Sequence, residues 1–413
     1  SRRQRQMCIR DSNKSKKILL LGGLRYLVPV IKAIHELGYY AITCDYIPDN
    51  IAHKYSDEYH NINITDKESI LKLAYELKID GIMSFAVDPG VTTAAYVSEK
   101  LGLPGLPYES VNILQNKALF RNFLAKNGFT VPKSKGYKKT TDALKESSLF
   151  NWPIIVKPVD SAGSKGVTKV EVPSALPKAI EHAINFSLSK EFIIEEFIEK
   201  QGFSSDSEAF SINGTLEFIS YSDQRFDNKA TNPYTPSAFS WPTTMQESYQ
   251  TELSSEIQRL LTLLKIKTSI FNIETCIGKD GKAYIMEVSP RGGGNRLAEM
   301  LHYATGIDLI KNAVRAAVGE DIVDITQPQY NGYWGEIILH GNQVGIFDKI
   351  EIDDDFKHNH VVELDLWVQK GDPINSFNGA NDTIGTLVTK FNSAKELSEK
   401  MEQINQWIKI VVK

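Results

Sequence analysis

Short apolar runs alternate with amphipathic stretches over the first hundred residues. Lys17–Leu21 (KILLL) reads as a buried strand closed by Gly22-Gly23. Positions 27–37 repeat apolar residues at helical spacing and stop at Gly38, and Tyr40–Cys44 reads as a second strand. A helix at 70–77, a strand at 81–85 and a helix at 92–101, stopped by Gly102, continue the series. Strands alternating with helices predict βαβ units around a parallel sheet over about 17–110. The glycine pair suits a tight strand-to-helix turn, and GxGxxG is absent, which disfavours a dinucleotide-dependent oxidoreductase.

The pattern then changes. Positions 110–127 predict one capped helix ended by Gly128, with Lys117 and Arg121 one turn apart. A strand at 153–157 runs into the small-residue loop PVDSAGSKG at 158–166, and EFIIEEFI at 191–198 predicts a further strand. A strand at 215–221 precedes 223–240, rich in Asn, Thr, Pro and Ser, which reads as a long loop of the kind that is often functional. A helix at 254–264, strands at 269–276 and 283–288, and a helix at 296–304 after a triple glycine follow. From about 321 the pattern is α+β, with strands at 333–339, 344–352, 360–368 and 383–389, a helix at 394–408 and a last strand at 408–413. These breaks predict a basic tail over 1–16, disordered or foreign, and units over 17–112, 113–320 and 321–413. The fold class is α/β and α+β.

Composition narrows the function. The 413 residues carry 47 basic and 51 acidic side chains, a net charge of −4, so nothing suggests a general nucleic-acid surface. The basic tail alone leaves a weak nucleic-acid option, and no apolar h-region follows it as in a signal peptide. No apolar run reaches the roughly 18 residues of a membrane span. Cys8, Cys44 and Cys276 form neither a CxxC pair nor a zinc spacing, which points to reduced thiols and a cytoplasmic protein.

The candidate chemistry lies in the middle of the chain. If Lys279-Asp280 is the tip of the hairpin at 269–289, Asn272 faces Glu287 and Glu274 faces Ile285. Glu274, Glu287 and Ser289 then share one face, with the two glutamates as diagonal neighbours. Such a pair is either a solvated sheet face or a seat for a divalent cation such as Mg²⁺, which combines one or two carboxylates with phosphates. Lys157 ends an apolar strand beside the loop of Ser161, Gly163, Ser164 and Gly166. An ammonium and backbone amides together suit a polyphosphate, although the Walker pattern is missing and a plain hairpin tip would read the same. One of Glu195 and Glu196 must face outward from its apolar strand. Arg291, before three glycines and a helix start, stands where an anion would be favoured. Asp88 reads as a helix cap or a contact for a substrate amine, and Arg225 as a solvated side chain or a contact for a substrate carboxylate. His302 and His340 read as structural.

Taken in order, a helix lysine, a strand lysine with a glycine-rich loop, an EEFI strand and a Glu274…Glu287-x-Ser289-x-Arg291 set, the chain resembles the ATP-grasp superfamily over about 17–413. The flavour is that of the branch holding biotin carboxylase, carbamoyl-phosphate synthetase and the L-amino-acid ligases. The resemblance implies a Rossmann-like N-terminal domain, a two-lobed ATP-grasp domain and a small α+β C-terminal domain. It implies that Lys117 and Lys157 contact ATP phosphates and that the loop with Ser161, Gly163, Ser164 and Gly166 covers them. Glu195, Glu196, Phe197 and Ile198 would form the adenine hinge. Glu274, Glu287 and Ser289 would hold Mg²⁺, with Mn²⁺ as a substitute, and Arg291 would act at the acyl-phosphate step. Ser289 replaces the usual Asn ligand. Gly202 stands where a ribose-binding Glu is common, leaving Glu199 as the candidate.

The implied activity is an ATP-dependent carboxylate–amine ligase that releases ADP and phosphate. Its partners are small-molecule carboxylate and amine substrates, with a homodimer left open and no membrane. The glycines at 292–294 resemble the amino-acid ligases more than the biotin carboxylases. A bicarbonate- or formate-activating enzyme and a non-catalytic ATP-binding protein remain the alternatives.

Overall fold

The computed structural model describes residues 15–413, so the basic stretch up to residue 14 lies outside the described residues. Lys16, read with that tail, is already part of the fold: its carbonyl accepts from Tyr40 N at 2.8 Å and its ammonium lies 2.5 Å from Glu320. The described chain divides into two compact units, one ending at residue 105 and including 310–322, the other holding 106–309 and 323–413.

The first unit is a four-stranded parallel sheet in the order Glu58–His60, Tyr40–Cys44, Lys17–Leu21, Gly81–Met83. Helices Val28–Glu36, Lys67–Leu77 and Asp88–Leu101 supply the connections, as the alternating pattern predicts. The strand Glu58–His60 is too short and polar to register as a period. Val87, not Asp88, is the N-cap of the third helix, and Asp88 sits in its first turn, where a negative charge is favoured. The segment 310–322 belongs here through Lys311 on Glu36 at 2.9 Å and Glu320 on Lys16.

The second unit contains three larger sheets, each with its own apolar core. Ser134–Tyr137, Phe192–Glu196, Ile154–Pro158 and Thr168–Val170 form one, packed on helix Leu176–Phe186. Thr215–Ser220, Ser205–Ile212, Ser269–Ile277 and Ala283–Ser289 form the second, covered by helix Glu247–Leu263. The third runs Asp223–Phe226, Pro236–Trp241, Tyr333–His340, Thr383–Phe391, Val361–Leu366. A three-stranded sheet of Pro373–Ile374, Gly345–Ile352 and Ile408–Val412 completes the unit.

Three expectations are corrected. The stretch 223–240 is not one loop. Its ends pair as antiparallel strands and continue the sheet of the C-terminal segment, leaving only 227–235 irregular. DQRF and PSAFSW look polar, but Gln224, Arg225, Ser237 and Ser240 are all buried, so polarity misled the reading. The helix at 110–127 is two helices, Tyr108–Gln115 and Lys117–Lys126, broken at Asn116. The Asn116 side chain caps the second by accepting from Ala118 N and Leu119 N. The closing helix is Ala394–Glu402 followed by a short turn at Ile404–Trp407. Among the described residues no helix is long and apolar enough to cross a membrane.

Candidate active site

The carboxylate hairpin fixes one wall of the site. Its tip is not the two-residue turn expected. Gly278 N donates to Lys282 O at 2.9 Å and Gly281 N to Gly278 O at 2.9 Å, so three residues make the loop. Gly281, at φ +75°, takes the left-handed position such a loop needs. A second irregularity falls between Glu274 and Thr275. Together they shift the pairing: Asn272 faces Ser289, and Glu274 faces Glu287 directly instead of diagonally. Directly opposed side chains have Cβ atoms about 4.5–5.5 Å apart, closer than the sequence register implied. Ile273 and Val288, on the other face, lie in the apolar core under helix Glu247–Leu263, so the glutamates face away from it.

Lys117, the first residue of the helix that Asn116 caps, reaches this wall. Its Nζ lies 3.3 Å from Glu287 Oε2 and donates to the Ser161 carbonyl at 2.9 Å, while Lys117 N donates to Val159 O at 2.8 Å. Three features separate in sequence, the helix lysine, the small-residue loop and the carboxylate pair, therefore meet. Within that loop Gly163, Ser164 and Gly166 all have positive φ. The loop is tied to the 227–235 loop by Ser164 Oγ on Tyr234 O at 3.0 Å and Asn232 Nδ2 on Ser164 O at 3.3 Å.

Lys157 projects from Ile154–Pro158 and pairs with Glu195 Oε2 at 2.7 Å, while Arg121 Nε holds Glu195 Oε1 at 2.8 Å. All three side chains are largely or fully buried. Burial pushes the Glu195 carboxyl up, but the Arg121 and Lys157 cations outweigh it and hold it at about 2. The Glu195 side chain is thus committed to orienting a lysine. Glu196 is the outward one of the pair, accepting from Asn151 N at 2.8 Å. Phe197 N donates to Pro153 O at 3.1 Å, and Phe197 and Ile198 continue past the strand end as irregular backbone. Glu199 pairs with Lys279 on the surface.

Sequence reasoning missed two acids on this face. Ser205–Ile212 pairs with the hairpin so that Asp206 faces Glu274 and Glu208 faces Asn272. Asn272 Nδ2 donates to Asp206 Oδ1 at 2.6 Å and Glu208 Oε1 at 3.0 Å, and Gly293 N donates to Glu208 Oε1 at 2.8 Å. A Cβ on Gly293 would lie 2.4 Å from that oxygen, so the glycine run lets the backbone close on the carboxylate. Burial, then the Glu274 charge, pushes Asp206 up to about 7; burial, then Asp206, pushes Glu208 up to about 8. Arg291 lies within range to pull both down, is itself buried, and donates from Nη1 to Gly292 O at 3.1 Å. The only sequence signal was the i, i+2 spacing of Asp206 and Glu208 in a serine-rich stretch.

The remaining candidates fall elsewhere. Arg225 is buried, donating to Ser240 Oγ at 2.5 Å and stacked over Phe203. His340 contacts Asp227 at 3.3 Å and stacks on Phe377. Among the described residues no group of three or more His, Cys, Asp or Glu is arranged to hold a metal ion. Glu274, Glu287 and the Ser289 hydroxyl are hard oxygen donors on one face, a set that fits Mg²⁺ when substrate phosphates complete its shell.

Residues 150–299 match the family model described as the ATP-grasp domain. The chain is 24% identical over 297 residues to the carbamoyl phosphate synthase large chain of Thermotoga neapolitana, a match covering 71% of this chain and 26% of that protein. The chain thus spans about a quarter of the length of the curated relatives it matches. A crystal structure of L-amino acid ligase from Bacillus licheniformis has the same fold at TM-score 0.79 and 20% identity, covering 97% of this chain and all of that one. The biotin carboxylase domain of 2-oxoglutarate carboxylase from Hydrogenobacter thermophilus, solved with MgADP and bicarbonate, superposes at TM-score 0.73 and 18% identity, over 96% and 91% of the two chains. Residues 150–299 thus match the ATP-grasp domain, and the fold of nearly the whole chain is shared with these solved structures.

Proposed function

We propose that this chain is an ATP-dependent carboxylate–amine ligase that activates an acid as its acyl phosphate and releases ADP and phosphate. The observation that carries the reading is Lys117, whose one ammonium lies 2.9 Å from the Ser161 carbonyl and 3.3 Å from Glu287. That convergence of a cation, a loop of small residues and paired carboxylates suits a polyphosphate better than a solvated sheet face.

In this reading Glu196, Phe197 and Ile198 offer backbone groups to adenine. Lys117, Lys157 and the amides around Ser161, Gly163, Ser164 and Gly166 hold the phosphates. Glu195, with Arg121, aims Lys157. Glu274, Glu287 and Ser289 would hold Mg²⁺ or Mn²⁺, which when bound offsets charge on the phosphate oxygens. An acid oxygen attacks the γ-phosphorus and the bond to the β-phosphate oxygen breaks, releasing ADP. The amine nitrogen then attacks the acyl carbon, the carbon–oxygen bond to phosphate breaks, and the nitrogen gives up a proton. In this reading the chain contributes position and electrostatics: Arg291 stabilises charge as it develops, and no covalent enzyme intermediate is required.

The test is to incubate the protein with Mg-ATP and pooled carboxylates and amines, and to measure ADP, AMP and phosphate. ADP with phosphate, dependent on particular substrates, is the expected result; AMP with pyrophosphate would overturn the mechanism. Glu287→Gln should slow ADP formation about 10²-fold at saturating substrate, and an unchanged rate would remove Glu287 from the site.

A further inference from the structure

The small-residue loop at 158–166 is gripped at two points. At one, the Ser161 carbonyl accepts from Lys117 Nζ at 2.9 Å, beside the carboxylate wall. At the other, Ser164 is held by side chain and backbone together. Its Oγ donates to Tyr234 O at 3.0 Å, and its carbonyl accepts from Asn232 Nδ2 at 3.3 Å. Ser164 has φ +57°, a left-handed conformation that a residue with a Cβ adopts at a cost. Such a conformation persists where surrounding contacts over-determine it, and the 227–235 loop supplies two of those contacts.

Asn232 uses every polar group it has. Its N donates to Phe377 O at 3.2 Å, and its carbonyl accepts from Thr235 N at 3.2 Å. Its Nδ2 also donates to Asn378 O at 3.2 Å, and its Oδ1 accepts from Tyr234 N at 3.1 Å. The Thr235 hydroxyl adds a further bond to Asn378 O at 3.4 Å. The seat beneath is itself fixed. Phe377 is fully buried, donates from its N to Gly341 O at 2.9 Å and stacks on His340, with ring centroids 4.0 Å apart. His340 in turn meets Asp227, where the 227–235 loop begins, at 3.3 Å. One side-chain amide therefore joins the small-residue loop to a turn at 376–379 of the C-terminal segment. The bonds across this junction are between uncharged groups. Each shifts an open–closed balance by about fivefold, enough to bias the loop and still release it.

We infer that Asn232 is a positioning residue that latches the small-residue loop, with the turn at 376–379 as its seat. The inference rests on the reading of that loop as the cover of the ATP phosphates. It gives the C-terminal segment, which supplies none of the phosphate, hinge or carboxylate residues named above, a part in nucleotide binding. Asn232 acts through Ser164 and takes no part in phosphoryl transfer.

The experiment uses the loop's own lysine. Lys165 is exposed, and tryptic cleavage after it tracks the population of opened loop. Cleavage after Lys279, at the exposed tip of the carboxylate hairpin, serves as the internal reference. In full-length Asn232→Ala and Asn232→Asp, cleavage after Lys165 should rise about fivefold, with that after Lys279 unchanged. The aspartate keeps the shape and the acceptor for Tyr234 N but loses the donor to Ser164 and Asn378. Binding of adenylyl imidodiphosphate with Mg²⁺ should weaken about fivefold in the same variants. Faster cleavage at both lysines would mark Asn232 as merely structural and overturn the inference. So would unchanged cleavage after Lys165, or wild-type behaviour of Asn232→Asp. A loop that opens with analogue binding unchanged would sink the inference while leaving the ligase reading standing. If the wild type binds no nucleotide, the ligase reading falls, and the ratio of the two cleavages still decides whether Asn232 is the latch.

Discussion

At Glu195 one buried carboxylate serves two cations, and its energetics can be tested directly. Its carboxyl is held at about 2 in the fold, against an ordinary value of 4.5. A carboxyl lowered by folding stabilises the native state above its unfolded value, and that stabilisation is lost as pH falls from 4.5 towards 2. The wild type should therefore lose stability across that window, and Glu195→Gln should lack that part of the acid limb in urea unfolding. At neutral pH the variant should be weaker by about 3–5 kcal/mol, because Arg121 and Lys157 stay buried without their counter-charge. An acid limb unchanged in the variant would show that the triad is not coupled. The residues of this triad were legible as Lys157, Glu195 and the Lys117–Arg121 spacing. Their mutual assignment was not, because only the paired strands at 154–158 and 192–196 bring the ends of their side chains together.

At the scale of elements, two extra residues, one in the hairpin loop and one at the irregularity beside Glu274, decide how the carboxylates meet. The sequence reading placed Glu274 and Glu287 on one face, since alternation is local, but not opposite each other, since a bulge leaves no mark in the periodicity. Asn116 likewise looked like the interior of a helix and is its start. Asn116→Ala should cost about 1 kcal/mol of stability through the lost cap. It should also raise KM for ATP, because Lys117 follows the cap directly. Urea denaturation and initial-rate kinetics check the two effects, and an unchanged KM would separate the cap from Lys117. The strands within 223–241 escaped notice for another reason: their polar side chains are buried where sheet neighbours satisfy many of them, which single-sequence polarity reads as exposure.

Across the whole molecule, segments far apart in sequence share units. The helix Leu309–Ala317 lies past the carboxylate hairpin, yet from Ile310 it packs with the N-terminal parallel sheet. A chain starting at Leu106 should lose hydrogen-exchange protection over 310–317 while the sheet of 205–289 keeps its own; equal protection in both chains would contradict that packing. The sequence by itself determined the βαβ beginning, most later strands and helices, and the order of lysines, small-residue loop, carboxylates and arginine. Periodicity and motif spacing are local, and short-range sterics and burial enforce them. Only the tertiary structure decided that Glu274 faces Glu287, that Asp206 and Glu208 join them, and that 223–241 continues the C-terminal sheet. Those outcomes depend on which distant strands pair and in what register, and that is settled by packing between segments that no local pattern connects.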